Sequence, residues 1–163
     1  MPVVELITII YAPIERVFDL SRSIDLHVIS QQHAGEKPIG GRTSGLIELD
    51  EYVLWEAKHF GIRQQLSSKI TDFEFPTRFV DEQVKGAFKS FRHQHLFRED
   101  NSATIITDRF EYETPFGIFG RLFSKLVLHR YIDRLLSERN AVIKHYAESE
   151  KWKEILSSER VIR

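Results

Sequence analysis

Two histidines one residue apart, His93 and His95, are the side chains in this sequence best suited to chemistry. In an extended segment, residues two apart point to the same side, so both imidazoles share a face with Phe91 and Phe97. Further along, Asp108 alternates onto one face with Ile106, Phe110 and Tyr112, and before them Asp81 and Gln83 share a face with Phe79. If these faces line one concave surface, two imidazoles, two carboxylates and an amide converge among aromatic rings. His93 or His95 could then act as a general base, oriented by Asp108 or Asp81, in an aldol cyclisation or a dehydration. The same types, His-x-His with one carboxylate, also occur in metal sites. The flanking phenylalanines suit a ligand wall better, so no metal and no cofactor are expected. A mostly apolar pocket with a few orienting polar groups is the general description of a small-molecule site. The plainer alternative is a solvated sheet face with His and Asp as cross-strand pairs. Against it, Arg92, Gln94 and Arg98 occupy the opposite face. Even inside, a His–Asp bond can serve only to satisfy buried polar groups.

The segments that would position these residues read as strands. Val53, Trp55, Ala57 and His59 share one face of a strand ended by Gly61, and Ile62, Leu66 and Ile70 punctuate the next, which runs to Pro76. Strands around 79–84, 91–98 and 104–112 follow, joined by short connections, which favours an antiparallel meander. Trp55 and His59 join the expected site, where the small Ala57 leaves room for a ligand or for the long helix, and core packing alone explains Trp55 equally well. Upstream, Val3 to Ile10 reads as a strand, and Pro13 opens a helix on which Ile14, Val17 and Phe18 share a face. Ser23 suits the N-cap of a second short helix reaching about Ser30. His33 to Gly45 holds four glycines and reads as a loop with a short strand near Lys37–Ile39.

After Gly117 the period becomes helical and stays so to about Tyr146. Ile118, Leu122 and Leu126, then Ile132, Leu136, Ile143 and Ala147, trace an apolar stripe, and Leu122 and Leu126 are taken as lining the site. The two halves of this stripe are out of phase. A bend near Val127–Tyr131, or burial of the halves against different parts of the fold, would account for it. Lys125, Arg130, Arg134, Arg139 and Lys144 read as a solvated basic face diluted by Glu138, Glu148 and Glu150. Exposure of Phe116, Ile118 and Phe119 would mark a peripheral membrane contact or a dimer interface.

With 163 residues and 42% hydrophobic composition, the chain reads as one domain over 1–156 with a frayed tail over 157–163. A net charge of −1, with both signs mixed along the chain, argues against a broad electrostatic footprint for nucleic acid or anionic lipid. No apolar run approaches the ~18 residues of a membrane span, and no secretory signal is recognisable. The absence of cysteine excludes disulfides and thiolate catalysis and suits a reducing, cytoplasmic setting.

The order of strand, two short helices, meander and long terminal helix resembles the helix-grip (SRPBCC) superfamily. That group holds START domains, the Bet v 1 pollen allergens and the polyketide cyclase/dehydrase-like proteins. Ala-Pro-x-x-x-Val-Phe-Asp at Ala12–Asp19 carries part of the likeness. Phe-Val-Asp-Glu-Gln at Phe79–Gln83, Phe-Arg-His-Gln-His-x-Phe at Phe91–Phe97, and Thr107-Asp108 with Phe110 and Tyr112 resemble the bacterial branch near the cyclase-like and coenzyme-Q-binding members. The resemblance implies an α+β fold with a curved antiparallel sheet gripping the C-terminal helix and a cavity between them. It does not choose between carriage and catalysis. The expectation is a monomer or homodimer that binds a lipid, quinone or aromatic polyketide-like molecule. The alternatives are a cyclase- or dehydratase-like enzyme using His93, His95 and Asp108, and a protein-interaction module without a ligand.

Overall fold

The computed structural model describes residues 1–160. The β-branched and aliphatic run at Val3–Ile10 forms strand β1. Pro13, with φ near −58°, stands at the N-cap of α1 (Ile14–Ser21), one residue outside the helix. Ser23 caps α2 (Ile24–Ser30) by accepting the Leu26 N–H at 3.2 Å. A 3-10 turn at Gln32–Ala34 then leads into β2 (Lys37–Gly41), the short strand anticipated in the glycine-rich stretch.

The meander comprises β3 (Tyr52–His59), β4 (Ile62–Glu74), β5 (Arg78–Lys85), β6 (Ser90–Asp100) and β7 (Ala103–Glu113). Together with β1 and β2 they make one antiparallel seven-stranded sheet in the order β1-β7-β6-β5-β4-β3-β2. Along β6, Phe91, His93, His95 and Phe97 are buried while the residues between them are not. The two histidines are therefore on the inner face. Register does the rest: His93 sits opposite Asp81 and Phe110, and His95 opposite Phe79 and Asp108. Behind them Phe18 of α1 packs its ring against Phe73, Phe75, Phe79 and Phe97, all with centroids between 5.1 and 5.4 Å away.

The C-terminal helix is not uniform. It runs as α3 (Gly117–Phe123), a π-helical turn at Ser124–Leu128, and α4 (His129–Ala147). A π turn inserts an extra residue, which rotates everything beyond it by about 100°. The insertion does not bring the first apolar stripe inward: the buried positions of α3 and the π turn are Gly120, Ser124 and Leu128, so the two stripes differ in phase because only the second faces the core. On α4, Ile132, Leu136, Ile143 and Ala147 are buried as expected, but so are Arg139 and Asn140. Arg139 is thus an interior residue, not part of a solvated basic face. On the α3 side Leu122 is 56% and Leu126 60% exposed and neither lines the cavity between the sheet and the C-terminal helix; the stripe there faces outward. The segment beyond Ser149, expected to fray from Ser157, carries helix α5 (Trp152–Arg160), with Leu156 buried and Arg16 stacked 4.4 Å over the Trp152 ring. Residues 161–163 of that expected tail lie outside the described residues.

Truncating Phe18 to Ala should cost about 3–5 kcal/mol, whereas Leu122→Ala should stay within about 0.5 kcal/mol. Denaturant midpoints of the two variants check this, and equal losses would contradict the outward placement of Leu122.

Candidate functional site

The inner face of β5, β6 and β7 gathers the polar residues around one carboxylate. Asp108 has no exposed surface. Its Oδ1 lies 2.9 Å from His93 Nε2, 3.0 Å from His95 Nδ1 and 3.5 Å from Arg139 Nη1, and its Oδ2 accepts from Asn140 Nδ2 at 2.6 Å. On the other side of the imidazoles, Asp81 Oδ1 is 2.9 Å from His95 Nε2 and 3.7 Å from His93 Nδ1. Arg139 also donates to the Ser21 carbonyl at 3.0 Å and to Asn140 Oδ1 at 2.9 Å, and Asn140 donates to Thr8 Oγ1 at 3.0 Å. Ring stacking completes the packing, with Phe79 4.1 Å from His95 and His95 3.7 Å from His93.

These contacts decide the charges. Burial pushes the Asp108 carboxyl up, but the two imidazole hydrogen bonds and the Arg139 charge outweigh it and hold it well below the usual range. Asp81 is lowered in the same way, burial again being overcome by the His95 hydrogen bond and by the neighbouring imidazoles and Arg139. His93 goes the other way: burial, helped by the adjacent His95, lowers it to about 4 despite both carboxylates. At neutral pH His93 is therefore uncharged. Because an ionised Asp108 has no proton to give, His93 Nε2 carries the ring proton and donates it. His93 Nδ1 is left with a lone pair on the Asp81 side.

Above this cluster lies a cavity of about 610 Å³ between the sheet and the C-terminal helix. Trp55, His59, Phe79 and Asp81 line it, as do Phe91, His93 and His95 of β6 and Phe110 of β7. The remaining expected residues fall elsewhere. Asp108 is fully covered behind the histidines, and Tyr112, equally buried, bonds its hydroxyl to Ser124 Oγ at 2.9 Å. Phe97 belongs to the core beside Phe18. Gln83 turns away to donate to the Phe88 carbonyl at 2.9 Å, pinning the β5–β6 connection. At the opposite edge, His59 Nδ1 meets the Tyr131 hydroxyl at 2.6 Å and His27 pairs with Glu36 at 3.1 Å, both within the lining. Phe116 and Phe119 line the cavity while remaining 83% exposed, which places the mouth at α3. Gly120 makes this possible, since a Cβ there would collide with the Pro115 carbonyl oxygen.

Arg139 and Asn140 belong to this cluster and were not among the expected site residues. Their signal was available: between Leu136 and Ile143 they occupy the very positions at which the buried stripe of α4 should continue.

Fold comparisons agree with this geometry: the protein has the helix-grip, Bet v 1-like fold. It superposes on TTHA0849 from Thermus thermophilus with a TM-score of 0.69 at 20% identity, covering 87% of this chain and 97% of that one. Major latex-like protein 151 from Panax ginseng gives a TM-score of 0.66 at 16% identity over 91% of this chain and 98% of the other. Ara h 8.0201 gives 0.63 at 11% identity over 90% and 97%. No protein-family model and no curated protein sequence matches the chain.

The electrostatics predict acid lability. Between about pH 6.5 and 4 the unfolded chain protonates His93 and the folded chain does not, so stability falls as pH drops through that window. The loss attributable to His93 is roughly 3 kcal/mol. His59, lowered by burial, adds in the same direction, and the lowered Asp81 and Asp108 extend the loss below 3.8. Denaturant midpoints at pH 7.5 and 4.5, with EDTA present, measure this; His93→Gln should remove most of the difference. A wild-type midpoint that does not move would show that His93 is not buried neutral.

Proposed function

We propose that this protein binds and carries one apolar small molecule, with the ligand's polar end directed at Asp81, His93 and Arg139. The observation that carries the reading is a cavity with aromatic walls and a charged, hydrogen-bonded group at its buried end. Its volume lies in the range of small-molecule pockets. A cavity of this size also speaks against an interaction module with a closed core. His93 Nδ1 can accept a hydrogen bond and Arg139 can donate one, which suits a phenol, an alcohol or a quinone carbonyl on a ring-containing or isoprenoid body. Among the described residues no helix is long and apolar enough to cross a membrane. The apolar mouth at Phe116 and Phe119 adjoins Arg121, Lys125, His129 and Arg130, with no acidic residue from Phe116 to Ile132. We place ligand loading there, from an anionic lipid surface on the cytoplasmic side.

The second reading, a cyclase- or dehydratase-like enzyme, draws on the Asp108–His93 pair, in which a buried carboxylate fixes the tautomer of an imidazole facing the cavity. Under it, His93→Gln abolishes turnover with binding retained; under carriage, it changes affinity without abolishing it.

Native mass spectrometry of protein purified from its own host, with organic extraction, tests the reading directly by showing a stoichiometric apolar compound. Ala57→Phe, which fills the cavity from β3, should weaken binding of that compound by at least about tenfold, or 1.4 kcal/mol. An unchanged affinity in a folded Ala57→Phe variant would place the ligand elsewhere.

A further inference from the structure

We propose that Asp81, His93 and His95 form a site for a divalent transition metal, of the zinc or ferrous-iron class, at the buried end of the cavity. One ligand atom from each of the three lies within 4.8 Å of the others. The distances from Asp81 Oδ1 are 2.9 Å to His95 Nε2 and 3.7 Å to His93 Nδ1. They bracket the ~3.3 Å that separates ligands around a tetrahedral ion with bonds of about 2.0–2.1 Å. Two imidazoles and one carboxylate, with the remaining positions open, is a ligand set for zinc or non-haem iron.

The stronger argument is what lies behind the imidazoles. Ring nitrogens opposite the metal side normally need a carboxylate or carbonyl partner to fix tautomer and orientation. Here His93 Nε2 and His95 Nδ1 both converge on the single Asp108 Oδ1, at 2.9 and 3.0 Å. That one contact point turns His93 Nδ1 and His95 Nε2 together toward Asp81. Asp108 is in turn held by Asn140 and Arg139 from α4. Arg139 opposes a nearby cation, but its guanidinium is engaged by Asp108, the Asn140 side-chain carbonyl and the Ser21 carbonyl. The three ligands also line the cavity, so open coordination positions face a bound molecule's polar end. This goes beyond carriage: the ion would grip a hydroxyl or carbonyl oxygen of the ligand.

Isothermal titration of chelator-treated, full-length protein with zinc chloride tests the site. One-to-one binding is expected, together with visible ligand-field bands when cobalt(II) is the probe. His93→Gln, His95→Gln and Asp81→Asn should each remove the binding. Asp108→Asn, a positioning change, should weaken it about 10–100-fold. His33→Gln, at an exposed ion pair, should leave it unchanged. Because the core variants can fail to fold, cobalt-loaded wild type supplies a second readout. Its proton NMR spectrum should show two shifted, exchange-protected imidazole N–H resonances, from His93 and His95. Absence of stoichiometric binding, binding that survives the His93 and His95 changes in folded protein, or any other number of such resonances overturns the proposal. A fluorescent naphthalene probe for the cavity is titrated in parallel. Probe binding without metal binding rejects this site alone; metal binding without probe binding rejects the carrier reading alone.

Discussion

A carboxylate that stays ionised with no exposed surface must be surrounded by donors, and in this fold Asp108 draws them from two segments that in turn bond to two more. β6 supplies His93 and His95, while α4 supplies Arg139 and Asn140. Arg139 reaches on to the end of α1 at Ser21, and Asn140 to β1 at Thr8. The sheet, the C-terminal helix and the N-terminal helix pair are thereby tied to one point. Breaking such a group by removing one partner costs about 3–5 kcal/mol, yet replacing the whole of it by apolar side chains is often neutral or stabilising. Net stability is therefore a weak reason for its presence.

The C-terminal helix has to meet two demands that a regular helix cannot meet together. Its second half must bring Arg139 and Asn140 to Asp108, and its first half must leave the sheet far enough to keep the cavity open. The π turn at Ser124–Leu128 separates the two tasks by rotating one half against the other. Ser124 anchors the turn to β7 through the buried Tyr112 hydroxyl, and Leu128 seals the core beyond it. The outcome is an open volume lined by aromatic rings, which forgoes the packing that closed side chains would give. Phe116, Phe119 and Phe123 remain partly in solvent at its mouth for the same reason.

Most of the sheet was legible because alternation is a strict signal: a one-residue slip would have turned His93 and His95 outward with Arg92 and Gln94 inward. The meander and the shared faces of Asp81, His93, His95 and Asp108 followed from that alternation, and the Ser23 cap from N-cap preference. The limits follow from period as well. Alternation marks Phe97 and Tyr112 as inward but cannot tell cavity wall from packed core, and both proved to be core. Small Gly120 and polar Ser124 take the inward positions of α3 and the π turn, so the apolar stripe of Leu122 and Leu126 read as inward when it faces solvent. Arg139 was readable from its place in the α4 stripe, but its charge weighed more heavily than its position. Helix α5 was missed because its apolar signal, Trp152, Ile155 and Leu156, spans little more than one turn.

The protonation of His93 also discriminates between uses of the site. A general base works best with a pKa near the ambient pH, because it must be both unprotonated and a good proton acceptor. At about 4, His93 is always unprotonated at neutral pH but is a weak acceptor, short of the ideal by roughly 4 kcal/mol of proton affinity. The tautomer set by Asp108 gives direction, not basicity, since burial and the neighbouring imidazole outweigh both carboxylates. A neutral imidazole with one nitrogen fixed and one lone pair free is, however, the form needed to accept a ligand hydrogen bond or to bind a metal. Electrostatics thus favour a site that holds a molecule over one in which His93 takes a proton from it.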